Sequence, residues 1–254
     1  MKTHNVGIVG LGSIGLRMLE AFVLHDRFEV LKLWDPSDAA RENAHRRYPG
    51  LAFAASEQDF HATPDIDVVY LACPPATHYE HATKAIATGK AIHCEKPLGV
   101  DLADSEKLVA EVEASGLPHS VNLLYGAARA ALTLQHAFDT GEVGACPWVD
   151  IHLHLPQWAE RRYAEAPWLM QRAQGGFVRE VTTHYLFLCR RLFGDLELQS
   201  CNVAYPGDGQ GAVTFADVLL TTADTRITLT GSTLGAGPDV VHVNFWGTNN
   251  AYRL

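Results

Sequence analysis

"VGIVGLGSIG", residues 6–15, decides the fold. Val6, Ile8 and Val9 begin a strand-like apolar run, and Gly10, Gly12 and Gly15 follow it as G-x-G-x-x-G. A helix-like stretch, 14–25, opens on the same glycines. In a strand–turn–helix unit Gly10 permits the tight turn and Gly12 lets a pyrophosphate approach the backbone. Gly15 lets helix and strand pack closely. Ser13 and Ile14 stand at the helix start, where unused backbone N–H groups face the phosphates. Twenty residues past Gly15, at the end of the next apolar run, comes Asp35. A carboxylate there accepts both hydroxyls of an adenosine ribose and repels a 2′-phosphate, which favours NAD over NADP. On this motif alone, FAD and S-adenosylmethionine also fit.

Working outward, the pattern repeats. Strand-like runs at 6–9, 30–34, 68–72, 91–94 and 120–123 alternate with helix-like stretches at 14–25, 38–48, 78–88 and 102–115. The last helix has Asp101 as N-cap, and Gly116-Leu117-Pro118 stops it. Such alternation predicts an α/β unit with a doubly wound parallel sheet. After about residue 144 the pattern changes. Longer strand-like runs occupy 149–155, 196–204, 213–221, 225–230 and 240–245, with a hairpin turn at 222–224 and one helix over about 176–193. This half reads as α+β, an open and largely antiparallel sheet carrying that helix. The predicted domains are 1–123 and 124–254.

Composition narrows the class. The chain has 254 residues, 47% hydrophobic and 19% charged, which suits a packed globular protein. Its net charge of −9 and the absence of Lys/Arg clusters beyond pairs such as Arg46-Arg47 argue against nucleic acid. No apolar run approaches the roughly 20 residues of a membrane span. The N-terminus enters a strand pattern at once, without a signal-peptide core. Five cysteines without a C-x-x-C pair fit neither a disulfide framework nor a zinc site, and a reducing, cytoplasmic location is the expectation.

Three further stretches carry chemistry. "VVYLACPPATHYEHA" (68–82) ends its strand in Cys73-Pro74-Pro75, and "AIHCEKPLG" (91–99) ends its strand in Glu95-Lys96-Pro97. Both follow parallel strands, at the edge where such sheets bind ligands. Pro97 holds Lys96 extended. "GGFVREVTTHYLFL" (175–188) places Arg179, Glu180 and His184 in an otherwise apolar helix. Glu180 and His184 are i and i+4, so they share a face, and Val181, Tyr185 and Leu188 can turn to the sheet. The two leading glycines read as a hinge-like entry with room for a nicotinamide or substrate. Asn122 and Tyr125, near the end of the run 120–123, are candidate pocket residues. Residues 158–168, opening on Trp158, are rich in aromatic residues and Arg, which suits a sugar face or an acid. His78 and His81 read as solvent-facing, although His78 belongs to the loop counted with the cofactor site. His152 and His154 share a strand face without an acidic or Cys partner in sequence, and no metal site is expected.

In this order the glycine motif, the PPATH loop, Glu-Lys-Pro and the Gly-Gly helix with its acid and histidine resemble the Gfo/Idh/MocA oxidoreductase family. The resemblance runs from about residue 4 to the end. It implies an N-terminal Rossmann domain binding NAD(P) and a C-terminal sheet domain for substrate and oligomer contacts. Lys96 and His184 match the family's usual catalytic lysine and histidine. The cofactor set is then Gly10, Gly12, Ser13, Ile14, Gly15, Asp35, Cys73, Pro74, Pro75, His78, Glu95 and Lys96. The implied reaction moves a hydride between NAD(H) and a polyol, sugar or related carbonyl. His184 is its acid–base group, Lys96 steadies the oxygen and Glu180 orients its neighbours. The chain departs from the family in three places: Glu180 stands where Asp is usual, Arg179 is unusual, and an arginine near Leu124 is absent. Substrate class is therefore not copied from inositol- or glucose-acting relatives. The alternatives are a hydrolase or lyase using NAD in transient redox, and a non-catalytic nucleotide sensor. Family chains continue beyond the last residue here, so an incomplete second domain is expected. The outer face of its sheet, with the Val, Phe and Trp residues of 240–246, is expected to pack into a homodimer or homotetramer.

Overall fold

The computed structural model describes residues 3–158 and 166–254. The chain divides into two compact units, Met1–Asn122 and Leu123–Leu254. The first unit contains strands β1 (His4–Val9), β2 (Phe28–Trp34), β3 (Val68–Leu71), β4 (Ala91–Cys94) and β5 (His119–Val121). Their order is β2-β1-β3-β4-β5 and every pairing is parallel. Helices α1 (Ser13–Leu24), α2 (Asp38–Arg47), α3 (Glu57–Ala62), α4 (His78–Ala87) and α5 (Leu102–Ser115) connect them. Separate buried clusters form around Leu19, Leu33 and Phe22 and around Phe60, Val69 and Leu108, as a sheet covered on both faces requires.

Local chemistry explains the element ends. Ser37, Ser56 and Asp101 cap α2, α3 and α5, each accepting a backbone N–H three residues on. Gly116, at φ +66°, terminates α5 in the left-handed conformation. Among the described helices of the first unit, α3 was not anticipated, because six residues are too few to show a helical period. In the second unit the helix at Arg129–Asp139 was not anticipated either.

The second unit holds a six-stranded sheet of order β11-β10-β6-β9-β8-β7. The strands are β6 (Trp148–His154), β7 (Glu197–Ala204), β8 (Phe215–Thr221), β9 (Arg226–Ser232), β10 (Val240–Trp246) and β11 (Ala251–Arg253). All neighbours pair antiparallel except β6 and β9. The β8–β9 hairpin turns at 222–225, where Thr222 and Thr225 exchange hydrogen bonds. Helices α6 (Arg129–Asp139) and α7 (Thr183–Phe193) contribute Leu134 and Leu188 to the core that Ile151, Leu229 and Phe245 build from the sheet.

Two expectations need correction here. The positions of β10 on the outer face are Val240, His242, Asn244 and Trp246, of which Asn244 is buried between Asp150 and Arg253, while Val243 and Phe245 are buried in the core. With Trp148, Asp150 and His152 of β6, and Arg226, Thr228 and Thr230 of β9, the outer face is a polar surface bearing a stacked Trp148–Trp246 pair. It is not the broad apolar patch expected, because period-two alternation turns Val241, Val243 and Phe245 to the core. The helix expected over 176–193 is also not uniform. Val178–Thr182 forms a π turn before α7 begins.

Candidate functional site

In the first unit each strand delivers a candidate residue at its carboxyl end. Gly10 follows β1, Asp35 follows β2, Cys73 lies two residues past β3, Glu95 follows β4 and Asn122 follows β5. Because the strands are parallel, these ends lie along one edge of the sheet. The order reverses direction at β1 and β3, the switch point where open sheets of this kind hold ligands.

The glycines fit a dinucleotide. Gly10 has φ +96°, and a Cβ on it would lie 2.5 Å from Ala72 C and Cys73 N. A Cβ on Gly15 would lie 2.0 Å from Gly10 O, so this helix position can approach the turn only as glycine. A Cβ on Gly12 would meet nothing within 4 Å. Gly12 and Ser13 are exposed at the start of α1. An open backbone at a helix N-terminus suits a pyrophosphate.

Asp35 braces this turn. Its Oδ2 accepts Leu11 N–H at 2.8 Å and its Oδ1 accepts Ser37 N–H at 2.8 Å. Each carboxylate oxygen keeps a second lone pair, so ribose hydroxyls still find acceptors. Arg41 lies over the Trp34 ring at 5.1 Å and donates to Asp35 O and Asp38 Oδ1. Nothing in the local sequence marks Arg41 as the cation beside Asp35.

The loops after β3 and β4 are joined through His78. Its Nε2 lies 2.9 Å from Cys73 O, and its Nδ1 lies 3.0 Å from Pro97 O and 3.2 Å from Leu98 O. His78 is fully buried and His81 is 9% exposed, so both were misread as solvent-facing. Residues 78–82 contain too many polar residues for the buried face of α4 to show as an apolar stripe. Burial lowers the His78 pKa, against the carbonyls that favour its charged form. Burial pushes the Cys73 thiol up to about 11, which makes it a packing residue rather than a nucleophile. Pro75 is buried beneath the loop and Pro74 is exposed.

Glu95 is buried and caged. It accepts from the Tyr70 hydroxyl, from Asn122 Nδ2 at 2.6 Å and from Lys96 N–H at 3.3 Å. Asn122 therefore serves the protein's own carboxylate. Tyr70, like Arg41, was not anticipated from the sequence. Its signal was one phenol in an aliphatic strand, since a buried tyrosine hydroxyl needs a partner. Burial and the neighbouring Glu95 raise its pKa, so it stays a donor. Lys96 is partly exposed at the same strand end, preceding a cis Pro97.

In the second unit Glu180 lies on the π turn and is 7% exposed, while His184, in the first turn of α7, is partly exposed. Leu124 N–H lies 3.4 Å from His184 Nδ1. Val181 and Tyr185 pack against the core that holds Leu188, as the helix periodicity predicted. The Tyr125 ring rests 5.5 Å from that of Tyr185, and Arg191 donates to Gly126 O at 2.7 Å. Arg179 donates to Ala173 O at 3.2 Å. Trp158 donates to Leu169 O at 3.2 Å, which makes it a packing anchor. The rest of the aromatic and Arg-rich stretch, 159–165, lies outside the described residues.

The Gly175-Gly176 reading is corrected. A Cβ on Gly175 would lie 2.3 Å from Leu169 O and 2.4 Å from Trp168 O, and Gly176 has φ +103° with Val213 Cγ1 3.1 Å from a built Cβ. The protein's own backbone fills the space a side chain would take at Gly175, and Gly176 is required by its positive φ, so local packing accounts for both glycines.

Residues 4–123 match the oxidoreductase family with an NAD-binding Rossmann fold. Among curated proteins, a 1-carboxy-3-chloro-3,4-dihydroxycyclohexa-1,5-diene dehydrogenase of Comamonas testosteroni is 26% identical over 74% of this chain and 47% of its own length. An inositol 2-dehydrogenase of Burkholderia multivorans is 28% identical over 94% of this chain and 66% of its own. The crystal structure of the WlbA dehydrogenase from Bordetella pertussis, in complex with NADH and UDP-GlcNAcA, superposes with a TM-score of 0.88 at 21% identity. It covers 99% of this chain and 73% of that one. The chain spans about half the length of the first curated relatives it matches.

Proposed function

We propose that this chain, whose N-terminal unit belongs to the Gfo/Idh/MocA oxidoreductase family, binds NAD(H) and oxidises or reduces a small hydroxylated compound such as a polyol or sugar. One observation carries the reading. The Gly10–Gly15 turn, Asp35, the His78-linked loops and Glu95-Lys96 all stand at the carboxyl edge of one parallel sheet, around a backbone left open at Gly12.

In this reading residues 1–123 hold the cofactor. The helix start at Ser13 and Ile14 binds its pyrophosphate, and Asp35 binds the adenosine ribose. Bound NAD(H) supplies the hydride donor or acceptor at nicotinamide C4. Residues 124–254 supply the substrate side. Lys96 donates to the reacting oxygen and stabilises its negative charge, and His184 takes or returns the hydroxyl proton. Leu124 N–H donates to His184 Nδ1 at 3.4 Å, which leaves the proton of the neutral ring on Nε2, the nitrogen that returns a proton in the reducing direction. Glu180 orients His184 or a neighbouring substrate hydroxyl, with Arg179 and Tyr125 as further substrate contacts. A second copy of the chain would pack on the sheet face that carries Trp148 and Trp246, both partly exposed. Five unpaired cysteines suit a reducing, cytoplasmic setting.

The test is a titration with NADH followed by turnover assays on a panel of polyols and sugar acids, read as NADH absorbance. Lys96→Met and His184→Ala should keep NADH affinity and lose about 10²-fold or more in turnover. Full activity in both variants would remove these residues from the chemistry.

A further inference from the structure

Apart from the nucleotide edge, the first unit holds a second cluster with its own chemistry. Glu57 and His61 are i and i+4 on α3, and His81 sits on α4. One donor atom from each lies within 4.8 Å of the others. His61 is 6% exposed, and neither of its ring nitrogens has a hydrogen-bond partner among the described residues. The His81 Nδ1 lies 3.0 Å from Glu57 Oε1. The His61 Nε2 lies 3.9 Å from the same oxygen. The two imidazoles stack with ring centroids 6.0 Å apart. Buried ring nitrogens are normally satisfied, so an imidazole with neither nitrogen paired, His61, beside a second histidine and a carboxylate demands an explanation.

We propose that Glu57, His61 and His81 form a binding site for a divalent transition metal of the zinc class. Two imidazoles and one carboxylate are a donor set for such ions, whereas Mg²⁺ and Ca²⁺ prefer oxygen throughout. Bonds of about 2.0–2.2 Å meeting tetrahedrally place donor atoms about 3.3 Å apart. The widest separation must therefore close by at most about 1.5 Å, a movement within reach of side-chain rotation. Glu57, with its side chain 31% exposed, opens the fourth coordination position to solvent. Burial and the neighbouring His81 hold His61 neutral, with its pKa lowered to about 4, and the neutral ring is the form that ligates.

Two lysines face the cluster. Lys84 Nζ lies 2.6 Å from Glu57 Oε1 and 2.6 Å from Glu80 Oε1, and Lys90 Nζ donates to His61 O at 2.9 Å. Lys84 therefore competes with a metal for Glu57. Glu80 gives it somewhere to go when the metal binds.

The experiment uses the 254-residue chain, stripped with chelator, in a Cys201→Ser background that removes the exposed thiol. Calorimetric titration with ZnCl₂ should show one site per chain, and CoCl₂ should give the visible absorption of a tetrahedral ion. Glu57→Gln, at a partly exposed position, should weaken zinc at least about tenfold, the least expected for a lost ligand. His81→Asn should do the same, and Lys84→Met should tighten binding. Zinc should raise the melting temperature of the parent and not of Glu57→Gln. No zinc binding by the parent overturns the proposal, as does equal binding by Glu57→Gln, which would place the ion on other histidines.

Discussion

Replacing Asp35 with Asn separates two jobs that one carboxylate performs. Asp35 accepts Leu11 N–H and Ser37 N–H on different oxygens. An amide keeps one acceptor and turns an NH₂ group toward the other donor, so one of these bonds is lost. A hydrogen bond to a charged group is worth about 1.5–3 kcal/mol, and the partial exposure of Asp35 places the loss toward the lower end. The N-terminal unit should then melt about 4–12 °C lower, for a loss of about 1.5–2 kcal/mol. Removing the negative charge also removes the repulsion of a 2′-phosphate and leaves Arg41 beside it. The preference for NADH over NADPH should shrink by about 1–3 kcal/mol, a factor of about 5–150. Fluorescence titration of both cofactors at one fixed salt concentration measures this, because screening would blur a charge effect. If melting falls while the cofactor preference stays at the parental value, Asp35 braces the turn and does not touch the ribose.

Other tests address separate parts of the molecule. Gly175→Ala places a Cβ against the Trp168 and Leu169 carbonyls, so it should destabilise the second unit by at least about 1–3 kcal/mol and leave NADH affinity unchanged. Denaturant melts and NADH titrations check both halves of that statement. His78 is held neutral by burial, with its pKa below the unfolded value of about 6.5. The unfolded chain therefore takes up the proton first. The contribution of His78 to stability is complete above that value and falls as the pH drops toward the folded pKa. His78→Gln should flatten that acid limb in urea melts across a pH series, and an unchanged limb would exclude His78 as its source. Light scattering at micromolar concentration should give a dimer or larger species, and Trp246→Glu should shift it toward monomer.

The strands of the first unit were legible because β-rich apolar runs alternated with capped helices, and Asp101 and Gly116 marked α5 at both ends. The glycine motif was legible because its three positions answer three different steric demands. What escaped depends on tertiary neighbours. Nothing local to VVYL says that Tyr70 donates to a carboxylate 25 residues later. His78 and His81 read as surface residues because the backbone carbonyls and the carboxylate beside them come from other segments. Gly175 read as space for a ligand because a sequence shows a missing side chain, not the carbonyl that occupies its place. The outer sheet face was misjudged by treating 240–246 as one apolar run rather than as two alternating sets.

The cage around Glu95 also keeps the carboxyl edge of the sheet in step. Its donors come from Tyr70 on β3, from the backbone after β4 and from Asn122 after β5. Parallel strands buried on both faces carry little alternation to distinguish one register from the next. A slip of one residue in β3 would turn the Tyr70 phenol to the opposite face, and a slip in β5 would carry Asn122 about 3.3 Å along the strand. Either error would leave a buried carboxylate short of a donor, which hydrophobic packing alone would not detect. The one acid thus acts as an alignment mark across three strands, and the position of Lys96, the next residue in the chain, inherits its accuracy from that mark.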